Sequence, residues 1–200
     1  MSPRNPAQNE AQRAQTRQQI LMAGLKAFAE KGYTAASMAY IAKEAGVSKG
    51  LSYHYFSSKE DLLHGIFEML VAVGEGMEDQ ITGKSPKEQL RLTVEMGFQF
   101  MDEQRDIVRF MTAIAIQPEV TARLKELITK HKNLSIDMYR DIFKALSYDA
   151  PLAEAYAFGA LMDGTVLGYL ALGPDYPLED MKQKILTKYH LWKRKSSVCA

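Results

Sequence analysis

Residues 48–59 carry side chains suited to binding phosphates and nucleic-acid bases. Five hydrogen-bond donors fall within seven residues: Ser48, Lys49, Ser52, Tyr53 and His54. Gly50 lies among them and has no side chain, so the backbone there can approach a phosphate closely. Lys59 adds a cation at the start of the next predicted helix, where free N–H groups also attract anions. Such groups contact phosphates and base edges, so the stretch favours nucleic-acid binding.

Two short helices with a glycine turn between them position this chemistry. Ser37 is a suitable N-cap for the first helix, and four apolar residues recur in it at helical spacing: Met38, Ile41, Ala42 and Ala45. Gly46 follows, where a helix often ends in a left-handed residue. Ser48 then caps a second helix over residues 49–55. The pattern predicts a helix-turn-helix, which lays its second helix in the major groove of DNA.

The stretch IAKEAGVSKGLSYHYFSSKEDLL resembles the DNA-binding signature of TetR/AcrR-type transcriptional repressors. ILMAGLKAFAEKGYTAASM, just upstream, resembles their first helix, so the likeness covers about residues 12–65. One departure from the family pattern is that Ser52 stands where an apolar residue is usual, and Leu51 where a small polar residue is frequent. Their roles are therefore open, and Tyr55 and Phe56 are interpreted as packing aromatics.

The resemblance implies a homodimer that binds a double-stranded DNA operator and responds to a small-molecule effector. We expect a repressor of palindromic operators, while an activator stays an alternative because the sequence does not record where the operator lies. The candidate DNA-binding residues are Ser37, Ser48, Lys49, Gly50, Leu51, Ser52, Tyr53, His54 and Lys59. Further candidates for contact with the DNA backbone are Arg4, near the N-terminus, and Arg13 and Arg17 in the first predicted helix; for Arg4 the favoured alternative is a solvated tail.

Charge and composition agree with this interpretation. The chain has 200 residues and a net charge of +1, but residues 1–60 hold eight Lys or Arg against four Asp or Glu. The basic excess thus lies on the segment with the helix-turn-helix, as a phosphate-binding domain requires. The single cysteine, Cys199, allows no disulfide within the chain, and no signal peptide or apolar run of membrane-spanning length is recognised. We therefore expect a cytoplasmic protein that is not bound to a membrane.

Apolar spacing, prolines and glycines predict an all-α fold of about nine helices. The N-terminal DNA-binding domain is expected over residues 1–57, with residues 1–9 disordered, and the effector-binding and dimerisation domain over residues 58–200. In the C-terminal domain we expect helices near residues 86–103, 106–116, 118–146, 151–172 and 177–195.

No catalytic constellation, metal-ligand spacing or cofactor motif occurs in the sequence, so an enzyme is not expected. A helical protein–protein module that reuses a helix-turn-helix is the competing interpretation, and the basic bias of residues 1–60 argues against it.

Candidate effector-binding residues are soft, aromatic or polar side chains on helices that should converge: Phe98, Met101, Arg109, Phe110, His131, Met138 and Asp163. Methionine suits adaptable apolar pockets. The alternative for the apolar members is an ordinary core, and for Asp163 a structural or interface carboxylate.

The predicted dimer interface lies on the last two helices. Four residues recur every four positions along one face of the eighth predicted helix: Tyr156, Ala160, Gly164 and Gly168. Small residues let two helices approach closely, and glycine inside a helix suggests a packing reason. Ile185 and Tyr189 of the ninth helix are expected to complete the interface. The alternative is that the glycines face a helix of the same subunit.

Overall fold

The computed structural model describes residues 6–191, apart from the side chains of residues 6, 7, 130 and 132–134. Over this range the fold is all-α, as predicted, with ten α-helices and one 3-10 helix, Gly173–Asp175. The α-helices are α1 (Pro6–Ala35), α2 (Met38–Glu44), α3 (Lys49–Tyr55), α4 (Lys59–Ile81), α5 (Pro86–Glu103), α6 (Arg105–Ala115), α7 (Pro118–Arg123), α8 (Lys125–Ala145), α9 (Pro151–Leu172) and α10 (Leu178–Lys188).

Helix α1 begins earlier than the sequence suggested. Residues 6–9 were predicted to be disordered, but they form the first turn of α1. Pro6 is favourable at a first helical position because its missing N–H needs no partner there, and the alanines and glutamines that follow are good helix formers. Residues 1–5, and with them Arg4, lie outside the described residues.

Two of the predicted C-terminal helices differ in the structure. The helix expected over residues 118–146 is divided into α7 and α8 at Leu124, which has a non-helical ψ of 8° and is buried. The last helix ends at Lys188 rather than near Lys195, and residues from Trp192 onward lie outside the described range. The predicted stop of α9 is confirmed, because Gly173 follows it with a φ of 59° that favours glycine.

The chain separates into two compact units, residues up to 73 with 106–124, and residues 74–105 with those from 125 onward. The first unit therefore contains more than the DNA-binding domain predicted over residues 1–57. It includes most of α4, almost all of α6, and α7. A functional boundary at residues 57 and 58 stays a prediction.

Each unit has its own core. In the first unit, large apolar side chains with 2% exposure or less include Phe28, Ile41, Phe56, Leu62 and Phe110. In the second, α8 packs on α9, and α5 packs on α8 and α10. Aromatic rings dominate this second core: Phe158 lies 5.1 Å from Tyr139, 5.6 Å from Tyr189 and 6.0 Å from Phe143, between ring centroids.

Candidate nucleic-acid interface

Local hydrogen bonds build the helix-turn-helix. The Ser37 hydroxyl accepts from the Tyr40 backbone N–H at 3.2 Å, and the Ser48 hydroxyl accepts from the Leu51 N–H at 3.1 Å. Both predicted N-caps are therefore confirmed. Gly46 between the helices has a φ of 69°, which any residue with a Cβ rarely adopts. The serine hydroxyl protons are not used by these caps and can still be donated to a phosphate.

Helix α3 presents a continuous exposed surface. Five of the predicted DNA-binding residues lie on it: Lys49, Gly50, Leu51, Tyr53 and His54. Tyr53 is 44% exposed and Leu51 39% exposed. The Lys49 ammonium lies 6.0 Å from the centroid of the Tyr53 ring. The surface combines a cation, a phenol, an imidazole and a methyl-bearing side chain, and these groups can contact phosphates, base edges and thymine methyls.

Ser52 does not belong to this surface, in contrast to the sequence-based prediction. Its side chain is 0% exposed, and its hydroxyl donates to the Lys49 carbonyl at 2.8 Å. The physical reason is helical spacing, because Ser52 precedes the buried Phe56 by one helical turn and therefore faces the same side. Leu51 is exposed instead, so each position keeps the burial that the family pattern implies, and only the residue types are exchanged.

The end of α3 is anchored by aromatic packing. Phe56 is 2% exposed, and a Cβ at Gly65 of α4 would lie only 2.9 Å from its ring, so the absence of a side chain there makes room for Phe56. The Arg17 guanidinium lies 5.2 Å from the centroid of the same ring. Arg17 and Arg13 are exposed on α1. Arg17 thus places one cation beside the end of α3.

Lys59 has partners inside the protein, which the sequence did not indicate. Its ammonium donates to the Tyr33 carbonyl at 2.8 Å and to the Thr34 carbonyl at 3.1 Å, and it lies 4.5 Å from the Tyr33 ring centroid. Burial, and then the positive charge of Arg123, lower the pKa of Lys59. An ammonium has three N–H donors, so one remains, and contact with a DNA phosphate stays a prediction.

Arg123 also lies beside Tyr33 and Lys59, which the sequence did not predict. Its guanidinium donates to the Glu60 carboxylate at 3.1 Å and lies 5.7 Å from the Tyr33 ring centroid. Both ion-pair side chains are about half exposed, at 44% and 46%. Arg123 is 63 positions from Glu60 along the chain, so no local sequence signal points to this contact.

The predicted effector-binding residues do not gather at one described site. Phe98, Met101 and Phe110 are buried, Arg109 and Asp163 are exposed, and His131 is half-buried. Arg109 and Phe110 belong to the first unit and the other five to the second. Met138 lines a groove of about 420 Å³ in the second unit, together with Glu78, Pro86, Gln89, Asp141, Ile142 and Ala145.

Asp163 acts electrostatically on a neighbouring phenol. Burial, followed by the charges of Asp163 and Glu78, raises the pKa of Tyr139 to about 12. In the part of the chain that the structure describes, no three His, Cys, Asp or Glu side chains are grouped as metal ligands.

The predicted dimer residues divide into an exposed and a buried set. Tyr156 is 53% exposed, Ala160 and Gly164 are also exposed, and a Cβ at Gly164 would meet no atom within 4 Å. By contrast, Ile185 and Tyr189 are 1% and 4% exposed. Because these two side chains already lie in the core of the subunit, the prediction that they contact a partner needs correction.

Gly168 also has a role within the subunit. A Cβ at this position would overlap the ring of Tyr176, so the missing side chain leaves room for that tyrosine. Here the alternative interpretation of the glycines, packing inside one subunit, applies. Tyr156, Ala160 and Gly164 remain as the predicted interface.

Comparison with known proteins gives a consistent set of relatives. The sequence model of the bacterial regulatory proteins of the tetR family matches residues 20–66. The chain is 30% identical over 149 residues to the HTH-type transcriptional regulator AcrR of Shigella flexneri, covering 71% of this chain and 68% of the relative. It is 28% identical over 176 residues to the fatty acid metabolism regulator protein of Bacillus subtilis, covering 84% and 90%. The chain spans 44% of the length of another relative, the uncharacterized regulator YerO of Bacillus subtilis.

Solved structures agree in fold. The transcriptional regulator FadR from Bacillus subtilis, in complex with stearoyl-CoA, has a TM-score of 0.70 and 27% identity, covering 86% of this chain and 96% of that one. Both the helix-turn-helix geometry and these relatives point to one class of protein. The chain belongs to the TetR family and is a DNA-binding transcriptional regulator rather than an enzyme.

Proposed function

We propose that this regulator is a dimeric repressor that binds a palindromic operator and is released from it by a small-molecule effector. The observation that carries the proposal is the exposed surface of α3, where Lys49, Leu51, Tyr53 and His54 face solvent while Phe56 is buried behind them. A recognition helix of this kind reads a few base pairs. Affinity would come from phosphate contacts by Lys49 and the cap serines, and specificity from Tyr53, Leu51 and His54.

The exposed face of α9 supports a symmetric dimer. Large apolar side chains lie along it at half exposure or more: Leu152 at 50%, Tyr156 at 53% and Leu167 at 55%. Ala160 and Gly164 lie between them and allow close approach of a second helix. Because a twofold interface brings the same surface of each subunit together, two α3 helices would be presented to half-sites about 34–36 Å apart.

A membrane is the competing explanation for this apolar surface. The segment Pro151–Asp175 is long and apolar enough to cross a membrane by length and composition, which corrects the expectation that the chain has no such run. Asp163 is exposed near the middle of the segment, and a carboxylate there costs about 2.5–3.5 kcal/mol or more in a bilayer. The family membership also favours a cytoplasmic dimer, so we assign the surface to the subunit interface.

The effector is proposed to be a small apolar or amphipathic molecule bound by the second unit. Support comes from the groove beside Met138 and Ile142 and from the Bacillus subtilis FadR, which is solved with stearoyl-CoA. A long-chain acyl-CoA is therefore the first compound to test. The carboxylates of Glu78 and Asp141 on the groove would repel CoA phosphates, so we expect only the acyl portion to occupy it.

Selection of bound DNA from a random pool tests the proposal. The expected result is a palindrome with half-sites about one duplex turn apart, bound by two subunits. Its affinity should exceed that for random duplexes by about a thousandfold or more. Recovery of no sequence preference, or of a single half-site bound by one subunit, would contradict it. Addition of stearoyl-CoA, with free CoA as the matched control, then tests whether an acyl chain releases the operator.

A further inference from the structure

The two ends of the helix-turn-helix meet at one small cluster around Tyr33. Tyr33 precedes the cap residue Ser37, and Glu60 follows shortly after the end of α3. Lys59, next to Glu60, joins the two ends directly through its hydrogen bonds to the Tyr33 and Thr34 carbonyls. The residues just before α2 and just after α3 are therefore in direct contact.

Arg123 makes a second connection across the same point from a distant part of the chain. It donates to Glu60 at 3.1 Å and lies over the Tyr33 ring at 5.7 Å. Tyr33 is 8% exposed and lies 5.2 Å from the ring of Phe28 in the core of the first unit. The guanidinium thus contacts both ends of the helix-turn-helix, one through charge and one through an aromatic face.

Arg123 is also close along the chain to helix α8 of the second unit. It is the last residue of α7, the buried Leu124 follows, and α8 begins at Lys125. Helix α8 carries Met138 and Ile142 of the groove described above. Arg123 is therefore separated by one residue along the chain from the helix that carries part of the groove.

We infer that Arg123 is a positioning residue for DNA binding: through Glu60 and Tyr33 it holds the two ends of the helix-turn-helix in the arrangement that α3 needs. This inference rests on the proposed function. A helix-turn-helix whose ends are held pays less conformational entropy on binding, so the contact raises operator affinity although Arg123 itself does not touch DNA. Both ionic partners are half exposed, so the contact is weak enough to be opened by an effector.

Operator binding by Arg123→Ala is the central test. We expect the dissociation constant to rise about fivefold to tenfold, as for the loss of one exposed ion pair and one exposed cation–π contact. The slope of affinity against salt concentration should stay as in the wild type, since a lost phosphate contact would lower it by about one unit. Arg140→Ala is the matched control, because Arg140 is also an exposed arginine with carboxylate partners, Asp137 and Asp141.

A double-mutant cycle assigns the effect to the pair. Glu60→Gln should weaken binding by a smaller factor, because it removes the ion pair and leaves the cation–π contact, and the variant with both changes should lose about as much as Arg123→Ala. Amide hydrogen exchange over residues 37–56 should rise in Arg123→Ala without DNA, whereas exchange in α9 should not change. Glu60→Gln keeps the size of the side chain, so it tests the contact even if Arg123→Ala is poorly folded.

Distinct results separate failure of the inference from failure of the proposed function. A wild-type protein without any specific operator would contradict the proposed function. If the wild type binds its operator, the inference is overturned by wild-type affinity in Arg123→Ala or Glu60→Gln, by additive losses in the double variant, or by a reduced salt slope.

Discussion

The substitution Gly164→Leu should convert the proposed dimer into monomers without harming the subunit. Gly164 is exposed on α9, and a Cβ there would meet no atom within 4 Å. The leucine therefore fits the isolated subunit. It also removes a helical glycine, which should favour the folded subunit by up to about 1 kcal/mol.

The expected cost arises at the interface alone. An oversized side chain in a packed contact typically costs about 1–3 kcal/mol, and a twofold interface contains Gly164 twice. The free energy of dimer association should therefore weaken by about 2–6 kcal/mol. The dimer dissociation constant then rises by a factor between about 30 and more than 10⁴. Palindrome affinity should fall with the fraction of dimer, while weak attraction to random DNA at low salt persists.

Sedimentation or light scattering across a concentration series measures the dimer directly, and thermal unfolding checks the subunit. Gly76→Leu in α4 is the matched control, because Gly76 is also an exposed helical glycine with no atom within 4 Å of an added Cβ. It should remain dimeric. A Gly164→Leu protein with the dimer dissociation constant of the control would refute the assignment of α9 to the interface.

Three further predictions concern α3 and the second core. Tyr53→Ala should weaken operator binding about tenfold or more. Ser52→Ala should instead lower the stability of the fold by about 1 kcal/mol and leave sequence preference unchanged. Gel-shift titrations of both variants test this, and the reverse pattern would contradict it. Lys49→Ala should weaken specific and random duplexes alike and reduce the salt slope by about one unit, and an unchanged slope would show that Lys49 is merely solvated. Burial and nearby carboxylates raise the pKa of Tyr139 to about 12, above an unfolded value of about 10. The protonated phenol therefore contributes stability below about pH 10 that is lost as the pH rises further. In urea unfolding, the loss of stability between about pH 9 and pH 11 should be smaller in Tyr139→Phe than in the wild type, and equal losses would contradict this.

The sequence determined the helix-turn-helix and the helical fold because their signals are local. The caps at Ser37 and Ser48 act on N–H groups three residues away, and the glycine turn at Gly46 depends on one backbone φ. Apolar spacing marks helices over most of the chain. Signals of this range are present in any short window of sequence, so residues 37–56 were assigned correctly apart from the face taken by Ser52.

Only the tertiary structure decided which side chains are available at each site. Ser52, Ile185 and Tyr189 were predicted to reach partners, yet all three are buried, and the space left by Gly168 belongs to Tyr176. Lys59 meets carbonyls of Tyr33 and Thr34, and Glu60 meets Arg123. These outcomes depend on contacts between residues far apart in the chain, and the packing that creates such contacts leaves no periodic trace in the sequence around either partner.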